Sequence, residues 1–439
     1  DMLSNTESAA ADAHEQLFAG LRERNLFFGD RPLCRVLRPH FYTAEQWNYL
    51  KVETEHILSS FAKVHRACIS DATLRAQLAL EPYEEELFHL DTHSTPWTTS
   101  RMDSFFTVET GRLQFVEYNA ETPAGIGYGD ELASAFLDMD VMKRFQERYA
   151  VHNLPGMGDL LHCLLRGYRE RGGTGTPQIG IVDWDDVPTL TEHEICREYF
   201  EANGVHAKMA DPRSLEYRNG ALWAGDFRID LIYKRVLCSE LIHRMGMNNP
   251  IVNALRGGHV QMSNSFSAKL LAKKASFAVL SDERNAHLFS REQCDAITAH
   301  IPWTRSVEER KTMFNGEEVD LLPFIADHRD HLVLKPNDEY GGKGVVIGWE
   351  TSAEEWNETI QIALNEPFVV QDRVEGVYRD FPMMEDDQLD ISLRFVDADP
   401  YIFYGEKVGG CLTRLSTGTL LNVTAGGGSV VPMFVIEKR

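Results

Sequence analysis

Leu332-Val-Leu-Lys-Pro-Asn-Asp-Glu-Tyr-Gly-Gly-Lys-Gly-Val345 is the stretch on which the fold turns. An apolar run ends in Lys335, and the loop after it holds Gly341, Gly342 and Gly344, which permit close backbone approach, and a second cation, Lys343. Such a loop can fold over a polyphosphate: main-chain N–H groups contact phosphate oxygens while two ammonium groups neutralise charge. The Gly-x4-Gly-Lys-Ser/Thr spacing of a P-loop is absent, which excludes that architecture. The same residues also suit an exposed hairpin turn, so the loop alone leaves both readings open.

On either side of the loop the pattern is that of an α/β (α+β) protein. Strands are predicted at Leu332–Lys335, Val345–Gly348, Phe368–Gln371, Ile391–Val396, Tyr401–Lys407 and Val430–Val435. Upstream, Gln178–Val182, a helix over Glu192–Asn203, Val205–Met209 and Ile229–Arg235 make a small alternating α/β unit. Residues 8–26, 43–70 and 72–88 carry apolar positions at helical spacing, and Asp130–Arg148 reads as a further helix. The expected division is a helical region with a hairpin over 1–150, a small α/β substrate domain over 151–265, and a nucleotide-binding part over 266–439.

Composition narrows the function classes. The 439 residues, 43% of them hydrophobic, suffice for two or three cooperating cores. No apolar run approaches the roughly 18 residues a membrane span needs. The net charge of −23 repels nucleic acid and anionic lipid, and is compatible with a cationic substrate such as a polyamine. Seven scattered cysteines, with no Cys-x-x-Cys pair, fit a reduced, cytoplasmic compartment.

A second constellation lies in the hairpin formed by Arg101–Val108 and Leu113–Asn119. Arg101-x-Asp103 and Glu117-x-Asn119 each have the two-residue spacing that puts both side chains on one face of a strand. A two-residue turn at Thr110-Gly111 would pair Asp103 with Tyr118 and separate the carboxylates. A three-residue loop, Glu109-Thr110-Gly111 with Gly111 left-handed, would set Asp103 opposite Glu117 and Arg101 opposite Asn119. In that register two carboxylates and an amide offer hard oxygen donors suited to Mg²⁺, with Arg101 free for a carboxylate or phosphate. An ordinary solvated hairpin face is the alternative.

Phe115-Val-Glu-Tyr-Asn-Ala-Glu-Thr-Pro123, preceded by Arg101-x-Asp103, resembles the signature of glutathionylspermidine synthetase-type ligases, a circularly permuted ATP-grasp family. The glycine-rich loop followed by Pro367-Phe-Val-Val-Gln-Asp-Arg373 fits the same resemblance, as do Gly409-Gly410-Cys411-Leu412-Thr413-Arg414, Asn422 and Gly426-Gly427-Gly428. The resemblance implies an ATP-grasp fold with a small Rossmann-like domain ahead of it, and ATP with Mg²⁺ as cofactors. It implies Asp103, Glu117 and Asn119 as metal ligands and Arg101 as a phosphate or substrate contact. Arg414 would face the transferred phosphoryl group, and the strand around Gln371 would lend backbone groups to adenine. Arg228-Ile-Asp-Leu-Ile-Tyr-Lys-Arg235 resembles the strand that brings an arginine, Arg235, to the substrate cleft. Asn264 and Lys274 resemble the segment whose lysine approaches ATP, although a solvated helix face also suits Lys274.

The expected activity is that of an ATP-dependent carboxylate–amine ligase, with a phosphotransferase on the same fold or a silent nucleotide-binding subunit as rivals. Replacing Glu117 or Arg414 by Ala is expected to depress turnover by orders of magnitude with little loss of fold. No thiol- or polyamine-recognising pattern is evident, so the resemblance carries chemistry and not substrates. Gly125-x-Gly127-x-Gly129 reads as a loop over the active site rather than a dinucleotide fingerprint. His89, Asp91 and His93 read as a polar surface segment rather than a metal site.

Overall fold

The computed structural model describes residues 7–28, 30–90, 97–418, 421 and 428–439. The amino-terminal region is mainly helical, as its periodicity predicts. Its longest helix, Ala44–Ser70, begins at a capping box in which the Thr43 hydroxyl accepts from Gln46 N and the Gln46 side chain accepts from Thr43 N. Leu50, Ile57, Leu58, Phe61, Val64 and Cys68 form its buried face. Phe61 packs on Tyr118, with ring centroids 4.7 Å apart, and on Phe277 at 5.3 Å. The helix thus backs the hairpin and the helix Ala275–Ser281 together; full burial of one such ring is worth about 1.5–3 kcal/mol.

The small α/β unit is a four-stranded parallel sheet in the order Gln261–Ser263, Leu231–Lys234, Ile179–Val182, Ala207–Ala210. Ile179–Val182 is buried along its whole length, as an inner parallel strand covered on both faces must be. The single strand expected over Ile229–Arg235 is two. Phe227–Ile229 belongs to an antiparallel sheet with Ala221–Ala224 and Leu215–Arg218, and Leu231–Lys234 enters the parallel sheet. The break falls at Asp230, whose carboxylate accepts from Gln178 N at 3.1 Å.

Met433–Lys438 pairs with His40–Thr43 and Tyr149–His152 in a further three-stranded sheet, and two antiparallel sheets carry the rest of the cleft wall. One runs Thr304–Ser306, Phe368–Asp372, Leu332–Pro336, Val346–Ile347. The other runs Val377–Glu385, Gln388–Val396, Lys407–Ser416, Asp399–Phe403, Thr99–Thr107, Arg112–Asn119, with Ser429–Val431 added on Lys407–Ser416. The early hairpin is therefore joined to strands from the far end of the chain, Arg101 opposite Tyr401.

Three further expectations need correction. Tyr401–Lys407 is broken by a turn in which Tyr404 (φ 57°) and Gly405 (φ 67°) are left-handed. Val430–Val435 is broken at Pro432, which has no N–H to give, so Ser429–Val431 and Met433–Lys438 join different sheets. Gly127 and Gly129 lie in the helix Ile126–Asp138 rather than in a covering loop, and only Gly125 (φ 109°) precedes it. His89 sits in the 3₁₀ turn Phe88–Leu90, while Asp91, His93, Asn422, Gly426 and Gly427 lie outside the described residues. Among the described residues no helix is long and apolar enough to cross a membrane, and all seven cysteines are free thiols.

Candidate active site

The hairpin reaches the productive register by a route the sequence did not disclose. Thr107 pairs with Arg112 around a four-residue loop, 108–111, with Gly111 left-handed at φ 71°. That register alone would set Asp103 against Val116. A β-bulge between Asp103 and Ser104 leaves Val116 over, and beyond it Asp103 faces Glu117 and Arg101 faces Asn119. The bulged residue is used: the Val116 carbonyl accepts from Lys335 Nζ at 3.2 Å. Bulge and Gly111 together, rather than a three-residue loop, bring the four side chains to one face.

Around Asp103 the charges are dense. Arg101 donates to it through Nε (2.8 Å) and Nη2 (3.2 Å), Asn119 through Nδ2 (2.8 Å) and Arg414 through Nη2 (2.5 Å). Arg101 Nη1 donates to the Ala124 carbonyl, so every nitrogen of Arg101 has a protein partner and the side chain is not free as expected. Arg414 is held by two further carboxylates. Asp397 accepts from its main-chain N and from Nε, both at 2.6 Å, and Asp399 lies 2.9 Å from Nη2. Burial raises the Asp103 carboxyl, but Arg101 and Arg414 outweigh it and hold the group down at about 2. Burial raises Asp397 and drives Asp399, fully buried, well above the ordinary carboxylate range.

Lysines complete this wall. Lys274 Nζ sits 2.9 Å from Glu117 and also donates to the Glu339 carbonyl, bridging the hairpin and the start of the glycine-rich loop. Lys335 Nζ donates to Gln371 Oε1 at 2.6 Å, and burial pushes its pKa down to about 8, against the pull of Glu117. The Gln371 amide is itself buried and donates to Thr304. The strand Phe368–Asp372 is paired on both sides, with Thr304–Ser306 and with Leu332–Pro336, so the backbone edge expected at Gln371 for adenine is taken by the sheet. Gly341, Gly342 and Gly344 all have positive φ, and Gly341 lines the cleft. Lys343 does not reach it: its side chain is 75% exposed and pairs with Glu339.

Of these groups Arg101, Glu117, Asn119, Lys274, Gly341 and Arg414, but not the side chains of Asp103, Lys335 and Gln371, line a cleft of about 350 Å³ between the hairpin, the glycine-rich loop and the parallel-sheet unit. Arg235 lines it from the last of these, buried, with Nη1 donating to the Pro123 carbonyl at 2.5 Å and to the Tyr233 hydroxyl at 3.3 Å. Beneath it lies an ionic cluster that motif reading missed. Glu121 accepts from Lys234 (3.1 Å), Lys269 (2.9 Å) and Cys238 N (2.6 Å). Lys269 also meets Asp338 at 2.6 Å, and Lys273 meets Glu84 at 2.6 Å and Asp338 at 2.9 Å. Burial would raise Glu121, yet Lys234 and Lys269 carry it far below its usual range. The spacing of Lys269 and Lys273, one helical turn apart, and the alternation Asp397-x-Asp399 were the available signals for the missed residues.

The donor set fits Mg²⁺ chemically. Among the described residues no three His, Cys, Asp or Glu side chains form a ready-made metal cage. Mg²⁺, however, is commonly held by one or two carboxylates together with substrate phosphates and waters. Glu117 and the Asn119 amide oxygen line the cleft and supply such donors, whereas Asp103, expected as a third ligand, is filled by Arg101, Asn119 and Arg414 and would have to exchange one of them for the ion.

No family model matches this chain. An uncharacterized protein of Mycobacterium tuberculosis (strain ATCC 25618 / H37Rv) is 24% identical over 353 residues, 73% of this chain and 57% of its own length. A protein of Frankia casuarinae, provisionally named glutamate–cysteine ligase 2-2, is 23% identical over 337 residues, 72% of this chain and 36% of its own length. The chain thus spans between about a third and three fifths of the length of these relatives. The solved structure of a glutathione synthetase-like effector from Globodera pallida matches over 96% of both chains with a TM-score of 0.57 at 10% identity. The two proteins share a mixed α/β fold.

Proposed function

We propose that this chain is an ATP-dependent carboxylate–amine ligase of the ATP-grasp type, forming an amide by way of an acyl phosphate and releasing ADP and phosphate. The observation that supports this most is the meeting, at one wall of the cleft, of the hairpin carboxylates with cations from two distant segments: Arg414 on Asp103 and Lys274 on Glu117. The shared fold and the provisional name of the Frankia relative point the same way.

In this scheme Lys274 and Lys335 take the nucleotide phosphates, and the loop tip folds inward to bring Lys343 onto them. Glu117 and Asn119, with Asp103 once it exchanges one of its present partners, would hold Mg²⁺, which when bound neutralises charge on the phosphates. Arg235 orients the substrate carboxylate, whose oxygen attacks the γ-phosphorus in line. Arg414 stabilises the charge that builds on the transferred group, and an amine then displaces phosphate. Arg101, already committed to Asp103 and Ala124, fixes the position of that carboxylate.

The test is ADP formation from Mg-ATP with and without pools of small carboxylates and amines, beside a Glu117→Gln control. Release that needs both pools and vanishes in the control supports the ligase. A stable phosphorylated product with no need of an amine would replace it by a phosphotransferase.

A further inference from the structure

The cleft has two unlike ends. At one, Lys269, Lys274, Glu117 and Asp338 supply charge. At the other, Leu33, Tyr128, Leu412 and Val430 form the floor, each 6% exposed or less, with Val430 N donating to the Leu33 carbonyl. Gly125 belongs to this floor, and a Cβ there would lie 2.5 Å from the Tyr401 hydroxyl and 3.1 Å from Leu412 Cδ1. Val187 and Pro188 line the cleft from the parallel-sheet unit.

Arg235 and Arg414 also line the cleft. Among the described residues only Nη1 of Arg235 is hydrogen-bonded, leaving Nε and Nη2 without partners, and Arg414 Nη1 has none either. Two fixed guanidiniums with spare donors, in a cleft that ends in an apolar floor, suit a molecule that is anionic at one end and hydrocarbon at the other. An α-amino acid with a charged side chain would bring an ammonium or a second carboxylate against Leu33, Leu412 and Val430, aliphatic side chains that cannot pair it.

We propose that the carboxylate substrate carries an aliphatic or aromatic body, its carboxylate on Arg235 and Arg414 and its body on Leu33, Tyr128, Leu412 and Val430. This rests on the ligase reading for its place in the reaction, but binding tests it separately.

The experiment is calorimetric titration of the purified chain, in the presence of magnesium and a non-hydrolysable ATP analogue, with acetate, butyrate, hexanoate, phenylacetate and glutamate. Affinity is expected to rise about fourfold per added methylene until the floor is covered. Arg235→Gln should abolish binding along the series, and Leu412→Ser should flatten its slope. A flat series in the native chain, tighter binding of glutamate than of hexanoate, or no binding of any member would overturn the proposal. Chain-length dependence without ADP release on adding amines would keep this assignment and remove the ligase reading. ADP release driven by a polar carboxylate alone would do the reverse.

Discussion

Asp103 and Glu117 face one another across the hairpin because Val116, between Glu117 and the turn, is left out of the ladder. The carboxylates are thereby placed on a rigid sheet rather than a loop, and the bulge carbonyl fixes Lys335 beside them. Glu117 is the more exposed of the two acids, and among the described residues its one ion pair is with Lys274, Lys335 acting on it only at longer range, so its replacement perturbs little else. Glu117→Gln should lower ADP formation by about 10²–10³-fold while shifting the melting temperature by no more than a degree or so. Turnover within a few-fold of the native rate would take Glu117 out of the machinery.

Arg414 is a different case, and the expectation that its removal spares the fold needs revision. Asp103, Asp397 and Asp399, all nearly or fully buried, converge on one guanidinium, and among the described residues only Arg101 would remain ion-paired with them. Removing one partner of a buried ion pair typically costs about 3–5 kcal/mol. Arg414→Ala should show a loss of that order in urea denaturation as well as lost turnover. Arg414→Lys should recover part of the stability and little of the rate, because an ammonium cannot reproduce the fork that spans Asp397 and Asp103.

Lys335 sets a pH dependence. Its folded-state pKa of about 8 lies below that of an unfolded lysine, so between the two values the unfolded chain holds more protons and folding stability rises with pH. Nucleotide binding moves the other way, because the charged form attracts phosphate. ATP affinity, followed by a fluorescent analogue, should weaken as pH rises through about 8 in the native protein. Lys335→Arg, charged throughout, should remove that inflection, and an inflection that persists would place the titrating group elsewhere.

Lys343 distinguishes loop closure from a passive turn. Its exposed ion pair with Glu339 is worth little, so Lys343→Ala should leave stability within about 0.5 kcal/mol. If the loop folds over phosphates, the same variant should weaken ATP binding several-fold. Unchanged ATP affinity would make the glycine-rich segment an ordinary hairpin turn.

Part of the fold was legible because some strands announce themselves locally: Ile179–Val182 and Leu332–Pro336 are short apolar runs bounded by turn residues. Strands such as Thr304–Ser306 and Val377–Glu385 were not foreseen, and the helix expected over Asp130–Arg148 is two, Ile126–Asp138 and Asp140–Gln146. The candidate site was legible to the extent that its residues share a strand. Arg101-x-Asp103 and Glu117-x-Asn119 could be placed on common faces, but their mutual register hung on a bulge, which no residue type demands. The anchoring of Arg414 by Asp397 and Asp399 was hidden for another reason: the alternation was visible, but not that the strand holding it adjoins the early hairpin. Lys343 and Gln371 went the other way: the glycine-rich loop and the family resemblance suggested contacts that side-chain direction and sheet pairing do not provide in this structure.

Asp103 and Arg414 are 311 residues apart in sequence. During synthesis at roughly 5–20 residues per second, the hairpin waits about 15–60 s before the strand carrying Arg414 has been made. Through that interval its edge is unpaired and its buried acid lacks a principal counter-charge. The nascent chain therefore presents, for much of its translation, an open strand edge of the kind that chaperones shield, and a ribosome stalled just short of Arg414 would leave it so.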